Sequence, residues 1–383
     1  MEICRVCGAE LGAPILQSPP PSITSICTLL DVDGCVWACD ECGHAQSANL
    51  NRIEQFYDTE YRISLATEGY DQLYEIAAGR PVFRAEHQAK LVKETCELRP
   101  GSVVLDYGAA KAGTLRQLSS GMPGLECYVY DVSRDYQASW QDWIPAARQA
   151  TYEVPEAWAD TFDLVTAHFV LEHVVEPVKI LKTIARVLKP AGHVFFLVPD
   201  PISNPGDLVV VDHVNHFTES SLRYLCKAAG LSADVIERHR YRGAFLVVAG
   251  RTGASGAAAP DMPRQKSGEL RELAAFWKRA AQTISKVVAD PLQGKSAVYG
   301  AGFYGTFIAA CLKERHAPVC FVDKNPYVRL VPHLGLPVLD PQVLPLDVET
   351  VFAGLNPKIA RSVLEQWKLE IDRPDLKIVY LDE

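Results

Sequence analysis

The chain has 383 residues, of which 48% are hydrophobic, and a formal net charge of −9. This length predicts two or three domains with a sizeable core. The negative charge argues against a nucleic-acid partner, because a phosphate backbone favours a basic surface. No apolar run reaches the length of about eighteen residues that a membrane helix needs, and the N-terminus lacks a signal-peptide pattern. We therefore expect a cytoplasmic protein with no membrane partner.

Two cysteine pairs near the start of the chain form the first chemical motif. They are Cys4-Arg-Val-Cys7 and Cys39-Asp-Glu-Cys42, and a glycine follows each pair. Four thiolates at this spacing predict one structural Zn²⁺ in tetrahedral coordination. Residues 1–50 are too few to bury a core, so metal binding would supply their folding free energy. Four free thiols in a reducing compartment are the alternative.

The next segment, residues 51–98, predicts a helical connector. We expect one helix from Tyr70 to Ala78 and another from Val82 to Leu98. The connector leads into the central domain, residues 99–251.

A glycine-rich turn opens the central domain. The apolar run Val103–Leu105 ends in Asp106, and small residues follow before a helical pattern begins, which is typical of the first strand and helix of a doubly wound α/β sheet. A second strand, Cys127–Tyr130, ends in Asp131, whose carboxylate is placed to accept hydrogen bonds from ribose hydroxyls. Dinucleotides and S-adenosylmethionine both bind in such a turn. The predicted cofactor contacts are Asp106, Gly108, Ala110, Gly113, Asp131, Val132, His168 and Phe169.

The elements that follow separate these two cofactors. They are a strand Phe162–His168, the segment Phe169-Val-Leu-Glu-His173, a helix Pro177–Lys189, the stop Pro190-Ala-Gly192 and a strand His193–Val198. Their order and spacing resemble the class I methyltransferases that use S-adenosylmethionine, over residues 85–250. The family loop Asp-x-Gly-x-x-x-Gly is one residue longer here, from Asp106 to Gly113, so its turn is expected to differ in detail. The same sheet with an emptied cofactor cleft is the alternative.

The loop 199–217 follows the fifth strand, where the substrate cleft of an open α/β sheet lies. A zinc module, a Tyr-x-x-Ser element at Tyr61 and a methyltransferase core together resemble the sugar C-methyltransferases, which act on nucleotide-linked deoxyketosugars. That family carries a catalytic Tyr-x-Glu-His motif in this loop. Here Val210-Val211-Asp212-His213 keeps the histidine, replaces the glutamate by aspartate and lacks the tyrosine.

The resemblance implies catalytic roles for four residues. His213 would be the general base, because an imidazole titrates near neutrality. Asp212 would orient it or act on the acceptor itself, since adjacent side chains of an extended segment point to opposite faces. Tyr61 would reach into the sugar site, or else pack at a domain junction. His216 would lock the loop, or else serve as the base in place of His213.

The last part of the chain repeats the strand–turn–helix theme. A linker and helix over residues 252–290 lead to a Rossmann-like domain over residues 291–383. This domain carries a G-x-G-x-x-G motif and a strand-end acid. The resemblance implies that it helps to hold the nucleotide-sugar, with the helix N-terminus facing phosphate; packing against the core is the alternative. The predicted substrate contacts are Gly300, Gly302, Gly305, Asp323 and Asn325.

The sequence thus predicts methyl transfer from S-adenosylmethionine to a nucleotide-linked sugar, with C-methylation through a base-assisted enolate favoured. O-methylation of a sugar or another small-molecule hydroxyl is the main alternative. A NAD-dependent enzyme and a non-catalytic S-adenosylmethionine sensor are the others. The acceptor and the oligomeric state stay open.

Overall fold

The computed structural model describes residues 2–50, 71–251, 267–289, 294–312 and 317–382. The chain divides into two compact units. The first comprises Met1–Gly12, Ala38–Asn204 and Val214–Ser267, and the second comprises Ala13–Trp37, Pro205–His213 and Gly268–Glu383. The second unit therefore includes one segment from the predicted zinc module and another from the predicted central domain. The five domain boundaries proposed from the sequence stay predictions. No helix among the described residues is long and apolar enough to cross a membrane.

Short antiparallel strands dominate the described part of the first hundred residues. β1 pairs with β4, β2 with β3, and β6 with β7. The strands are β1 (Leu16–Ser18), β2 (Ser22–Ile23), β3 (Leu29–Leu30), β4 (Gly34–Ala38), β5 (Ala45–Ser47), β6 (Leu73–Ala77) and β7 (Arg80–Phe83).

The prediction of a helix from Tyr70 to Ala78 is wrong, because β6 and β7 form a hairpin there. Ala77 pairs with Arg80 across a two-residue turn, in which Ala78 has φ 48° and Gly79 has φ 79°. Positive φ at both turn residues matches the twist of the flanking strands and so favours a hairpin. The predicted helix that follows is confirmed as α1, Arg84–Thr95.

The central sheet has seven strands in the order β10-β9-β8-β11-β12-β15-β14. All neighbours are parallel except β15, which is antiparallel to β12 and β14. The elements, in chain order, are β8 (Val103–Tyr107), α2 (Gly113–Gly121), β9 (Glu126–Asp131), β10 (Gln149–Thr151), β11 (Phe162–His168), α3 (Pro177–Val187), β12 (Leu188–Pro199), β13 (Asn215–His216), α4 (Glu219–Ala228), β14 (Leu231–Tyr241) and β15 (Ala244–Arg251).

This sheet confirms the predicted doubly wound class I fold. Its apolar runs are buried because helices cover a parallel sheet on both faces; Val104, Leu105 and Val165, for example, are fully buried. The strand order reverses at β8, which lies between β9 and β11. A crevice forms beyond the carboxyl ends of strands at such a reversal, so the fold places the predicted cofactor residues at one edge.

The C-terminal part of the second unit holds a second doubly wound sheet. Its five strands are parallel, in the order β18-β17-β16-β19-β20. Among the described residues its elements are α5 (Gly268–Val287), β16 (Lys295–Tyr299), α6 (Phe303–Cys311), β17 (Cys320–Val322), β18 (Val338–Leu339), β19 (Val348–Ala353), α7 (Pro357–Glu370) and β20 (Lys377–Val379).

Candidate functional site

The turn after β8 approaches its neighbours too closely for a side chain. Gly108 has φ +74°, and a Cβ there would lie 2.5 Å from Val170 Cγ2. The Gly108 N–H donates to the Tyr130 carbonyl over 2.8 Å, which ties the turn to β9. Ala110 and Ala112 also take positive φ, 45° and 53°. Such values are uncommon for residues other than glycine, so two alanines of this turn lie in the left-handed region.

Asp131, the last residue of β9, holds this turn in place. Its Oδ2 accepts a hydrogen bond from the Ala110 N–H at 2.8 Å, and its Oδ1 accepts one from the Ser133 N–H at 3.1 Å. Burial raises the pKa of Asp131, although the backbone N–H groups of Ala110, Ser133 and Val132 oppose the rise. The carboxylate therefore has fixed oxygens at the strand end where the sequence predicts a ribose contact.

Asp106 lies in β8, directly after the apolar run Val103–Leu105, and is buried. It is 3% exposed, and Thr166 Oγ1 donates to its Oδ1 over 2.8 Å. Burial raises the pKa of Asp106 to about 7. The Thr166 partner was missed by the sequence reasoning, since it comes from β11, whose register with β8 no local pattern reveals.

His168 ends β11 at the same edge of the sheet. Both ring nitrogens are buried and have no hydrogen-bond partner among the described residues. Burial lowers the pKa of His168 to about 3, so the ring is neutral at physiological pH. Phe169 follows at φ 59°, and the guanidinium carbon of Arg84 lies 4.4 Å from the centre of its ring.

These residues fit a cofactor that has a ribose and several polar groups. The Gly108 turn leaves no room for a side chain, Asp131 presents a carboxylate, and His168 has unmet hydrogen-bonding capacity. Buried polar groups are normally hydrogen-bonded, so the His168 nitrogens are explained if a ligand supplies the partner. Val132, which directly follows Asp131 at the end of β9, is 56% exposed.

The four predicted zinc ligands lie together in the first unit. Cys4 Sγ is 3.6 Å from Cys42 Sγ, Cys7 Sγ is 3.5 Å from Cys39 Sγ, and all four sulfurs lie within 4.8 Å of one another. A tetrahedron with Zn–S bonds of about 2.3 Å has S···S distances of about 3.8 Å, so the cluster has the size that Zn²⁺ requires. All four thiols are free of disulfides.

His213 forms a carboxylate–histidine pair within the second unit. Its Nδ1 lies 2.6 Å from Asp207 Oδ1, and the Asp207 side chain is fully buried. Asp212 instead accepts hydrogen bonds from the Ser25 N–H at 2.7 Å and the Ser25 Oγ at 2.6 Å. The prediction that Asp212 orients His213 is corrected accordingly, because Asp207 provides that carboxylate. No local pattern pointed to Asp207, which lies six residues away on a 3₁₀ turn, Pro205–Val209.

The other two predicted catalytic residues differ in what the structure says of them. His216 belongs to β13 and is fully buried, and its Nε2 lies 2.9 Å from Ser47 Oγ. This placement agrees with the structural alternative for His216. Tyr61 lies outside the described residues.

The C-terminal glycine motif divides into two kinds of position. A Cβ on Gly300 would collide with the Gly354 carbonyl, and one on Gly305 would collide with the Gly300 carbonyl, so these glycines serve close backbone packing. At Gly302, by contrast, an added Cβ would have no other atom of the described residues within 4 Å. Gly354 was missed because it follows a distant strand, β19.

Asp323 repeats the arrangement seen at Asp131. Its Oδ2 accepts from the Ala301 N–H at 2.9 Å, and its Oδ1 accepts from the Asn325 N–H at 2.8 Å. The two sheets therefore share one device, in which a carboxylate after the second strand holds the turn after the first strand.

Residues 83–235 match a family model described as a methyltransferase domain. A ubiquinone biosynthesis O-methyltransferase of Hahella chejuensis is 27% identical over 157 residues, which cover 39% of this chain and 62% of that protein. One of Aliivibrio fischeri is 44% identical over 50 residues, which cover 13% of this chain and 20% of that protein. The chain thus spans less than two thirds of the length of these curated relatives.

Solved structures match the same part of the chain. A putative methyltransferase in complex with the Haloferax volcanii Trm112 activator is 18% identical, with a TM-score of 0.39 over 44% of this chain and 91% of that chain. An S-adenosylmethionine-dependent methyltransferase from Mesorhizobium loti is 16% identical, with a TM-score of 0.36 over 43% of this chain and 98% of that chain.

Proposed function

We propose that this chain, which contains a methyltransferase domain with the class I fold, transfers the methyl group of S-adenosylmethionine to a small-molecule acceptor. The observation that carries the proposal is the turn at the reversal of strand order, where Asp131 holds the Ala110 N–H beside Gly108. The match of residues 83–235 to the methyltransferase family covers this turn.

In this proposal the cofactor contacts are those predicted from the sequence. Asp131 accepts hydrogen bonds from the ribose, and the segment from Gly108 to Gly113 lies against the remainder of the cofactor. His168 supplies a neutral imidazole, and Phe169 an apolar face. When bound, S-adenosylmethionine supplies an electrophilic methyl group on a sulfonium. The protein then has to hold the acceptor in line with that methyl group and exclude water.

A proton must leave a carbon or oxygen acceptor, and we assign its removal to His213. Its support is chemical. The Asp207 carboxylate against Nδ1 holds the ring, and it would stabilise the imidazolium that forms when the ring takes up a proton. For C-methylation the proton leaves the carbon next to a ketone, and for O-methylation it leaves a hydroxyl.

For the acceptor we favour a nucleotide-linked sugar. The cysteine cluster, the loop histidine and the C-terminal sheet support it, since together they resemble the sugar C-methyltransferases. In this assignment Gly302 and Asn325 lie near the nucleotide, while Gly300, Gly305 and Asp323 maintain the turn. O-methylation of another small molecule is the second candidate, and the relatives named as ubiquinone biosynthesis O-methyltransferases favour it.

We further propose a structural Zn²⁺ on the four clustered cysteines and a cytoplasmic location. The sulfur spacing supports the metal. Free thiols in such a cluster are maintained in a reducing compartment, which supports the location.

Ligand binding and an acceptor panel test the proposed function. S-adenosylhomocysteine should bind the protein in calorimetry, whereas NAD should not. Mass spectrometry should then detect a gain of one methyl group on a nucleotide-linked ketosugar and not on a catechol. Transfer to the catechol alone would favour O-methylation, and binding of NAD without S-adenosylhomocysteine would overturn the proposal.

A further inference from the structure

Residues 214–216 connect two parts of the first unit that are far apart in sequence. On one side lies the segment that carries the cysteine cluster. On the other side lie residues 169–174, which directly follow β11 at the proposed cofactor site. We name this segment the β11 loop. Residues 214–216 make hydrogen bonds to both segments.

The contacts with the cysteine segment combine strand pairing and side-chain hydrogen bonds. β13 pairs antiparallel with β5, with His216 opposite Ala45. The guanidinium of Arg5, which lies between Cys4 and Cys7, donates to the Val214 carbonyl and, at 2.9 Å, to the Ser47 carbonyl. These bonds therefore fix the position of β13 relative to Cys4 and Cys7, the first pair of predicted zinc ligands.

A buried histidine also lies against the cysteine cluster. His44 Nδ1 lies 3.7 Å from Cys4 Sγ. Both His44 and Asn215 are 1% exposed. His44 directly precedes β5, the strand that pairs with β13, so the cluster adjoins this strand pair.

On the other side, Asn215 and Val214 hold the β11 loop. Asn215 Nδ2 donates to the Leu171 carbonyl at 2.9 Å and to the Val174 carbonyl at 2.6 Å. The backbone N–H groups of Val214 and Asn215 both donate to the Glu172 carbonyl, at 2.7 and 3.1 Å. Four hydrogen bonds from two residues thus fix the backbone of the loop.

The β11 loop in turn borders the cofactor turn. It begins at Phe169, whose positive φ directs the chain away from β11. Its Val170 fills the space where Gly108 would carry a Cβ. Moving this loop would therefore change the space around Gly108.

We propose that the cysteine cluster, when it holds its metal, positions the β11 loop through residues 214–216, with Asn215 and Arg5 as positioning residues for cofactor binding. The inference rests on the proposed function only for the identity of the cofactor. No zinc ligand has to touch the cofactor; the effect passes through the hydrogen bonds of Val214 and Asn215 to the loop backbone.

Hydrogen exchange tests the mechanical part without any cofactor. In the zinc-loaded protein, we expect slow exchange at the backbone N–H groups of residues 170–175 and 214–216. Asn215→Ala should speed exchange in residues 170–175 by about tenfold or more, because it removes both side-chain hydrogen bonds to the loop, with zinc content still one per chain. β15 should be unchanged. Equal exchange in both proteins would overturn the inference.

A double-mutant cycle tests the link to the cofactor. Asn215→Ala and the metal-depleting Cys39→Ser should each raise the Kd for S-adenosylhomocysteine by about tenfold. Because both act through one path, the double variant should bind no more weakly than either single variant. A loss that multiplies to about a hundredfold would mean independent effects and would overturn the inference.

Two controls separate positioning from general destabilisation. Arg5→Met should weaken S-adenosylhomocysteine binding, and Arg5→Lys, which keeps a donor for Val214, should restore part of it. Ser220→Ala removes a buried hydroxyl that has no hydrogen-bond partner among the described residues, so it should leave binding unchanged. If the wild type binds no S-adenosylhomocysteine, the proposed function fails, and hydrogen exchange in residues 170–175 of Asn215→Ala and of the metal-depleted Cys39→Ser then decides this inference.

Discussion

Asp131 is the residue on which the cofactor assignment depends most directly. Asp131→Ala removes a charged acceptor, so we expect S-adenosylmethionine binding to weaken by about 1.5–3 kcal/mol in calorimetry. Asp131→Asn should lose less, because one oxygen still accepts from the backbone. Asp135→Ala, at an exposed neighbour that also raises the pKa of Asp131, is the control for net charge. Unchanged affinity of Asp131→Ala would refute the ribose contact.

Asp106 should make stability fall as pH rises. Burial raises its folded-state pKa to about 7, whereas an unfolded aspartate titrates near about 3.9. Between these values the folded chain keeps a proton that the unfolded chain has lost, so the free energy of unfolding decreases with pH. Asp106→Asn should therefore gain stability relative to the wild type from pH 5 to 8, by about 1–3 kcal/mol.

Asp163 provides the control for this pH dependence in denaturant unfolding. Burial raises its pKa, but hydrogen bonds from Lys189 and the Val103 N–H outweigh this and leave the pKa lowered. Its titration therefore lies below pH 5, and Asp163→Asn should show no trend between pH 5 and 8. A flat difference for Asp106→Asn over the same range would contradict the raised pKa.

His213 and Asp207 should act as a unit in catalysis. Loss of a general base lowers the rate by about 10² to 10⁴, so His213→Asn should reduce turnover by that amount while S-adenosylmethionine still binds. Asp207→Asn should reduce it less and shift the pH–rate profile. Asp212→Asn should act through stability, since its carboxylate holds Ser25. Normal turnover of His213→Asn would place the base elsewhere, with His216 or Tyr61 next.

At the scale of elements, the β8 turn requires glycine for two separable reasons. Gly108→Ala brings a Cβ to 2.5 Å from Val170 Cγ2 and adds strain at φ +74°. We expect S-adenosylhomocysteine binding to be lost in calorimetry. Adding Val170→Ala removes the clash but not the strain, so binding should return in part. Full binding by Gly108→Ala alone would show that the turn moves freely.

Some elements follow from the apolar pattern of the sequence, and others do not. The strand Phe162–His168 ends where the apolar run predicts, because a parallel strand buried on both faces forms a nearly continuous apolar run in the sequence. The β6–β7 hairpin was missed since its turn, Ala78-Gly79, lacks the usual Asn-Gly or Asp-Gly signal.

For the whole molecule, the cysteine cluster gives a prediction about composition. Protein purified without chelator should contain one Zn²⁺ per chain in elemental analysis, since four thiolates at this spacing form a closed tetrahedral site. Cys39→Ser should lose the metal, whereas Cys226→Ser, at a buried cysteine outside the cluster, should keep it. Metal loss should expose the N-terminal segment while the central sheet, which has its own core, stays folded. Absence of zinc from the wild type would refute the site.

The sequence by itself determined the two doubly wound sheets, the glycine turns with their strand-end acids and the four cysteines. These features depend on residue type and short spacing, which a linear pattern records. Only the tertiary structure decided that Asp207 pairs with His213, that Thr166 donates to Asp106 and that Asn215 holds the β11 loop. Such pairs join residues from different elements, and the backbone path that brings them together is set by packing of the whole unit.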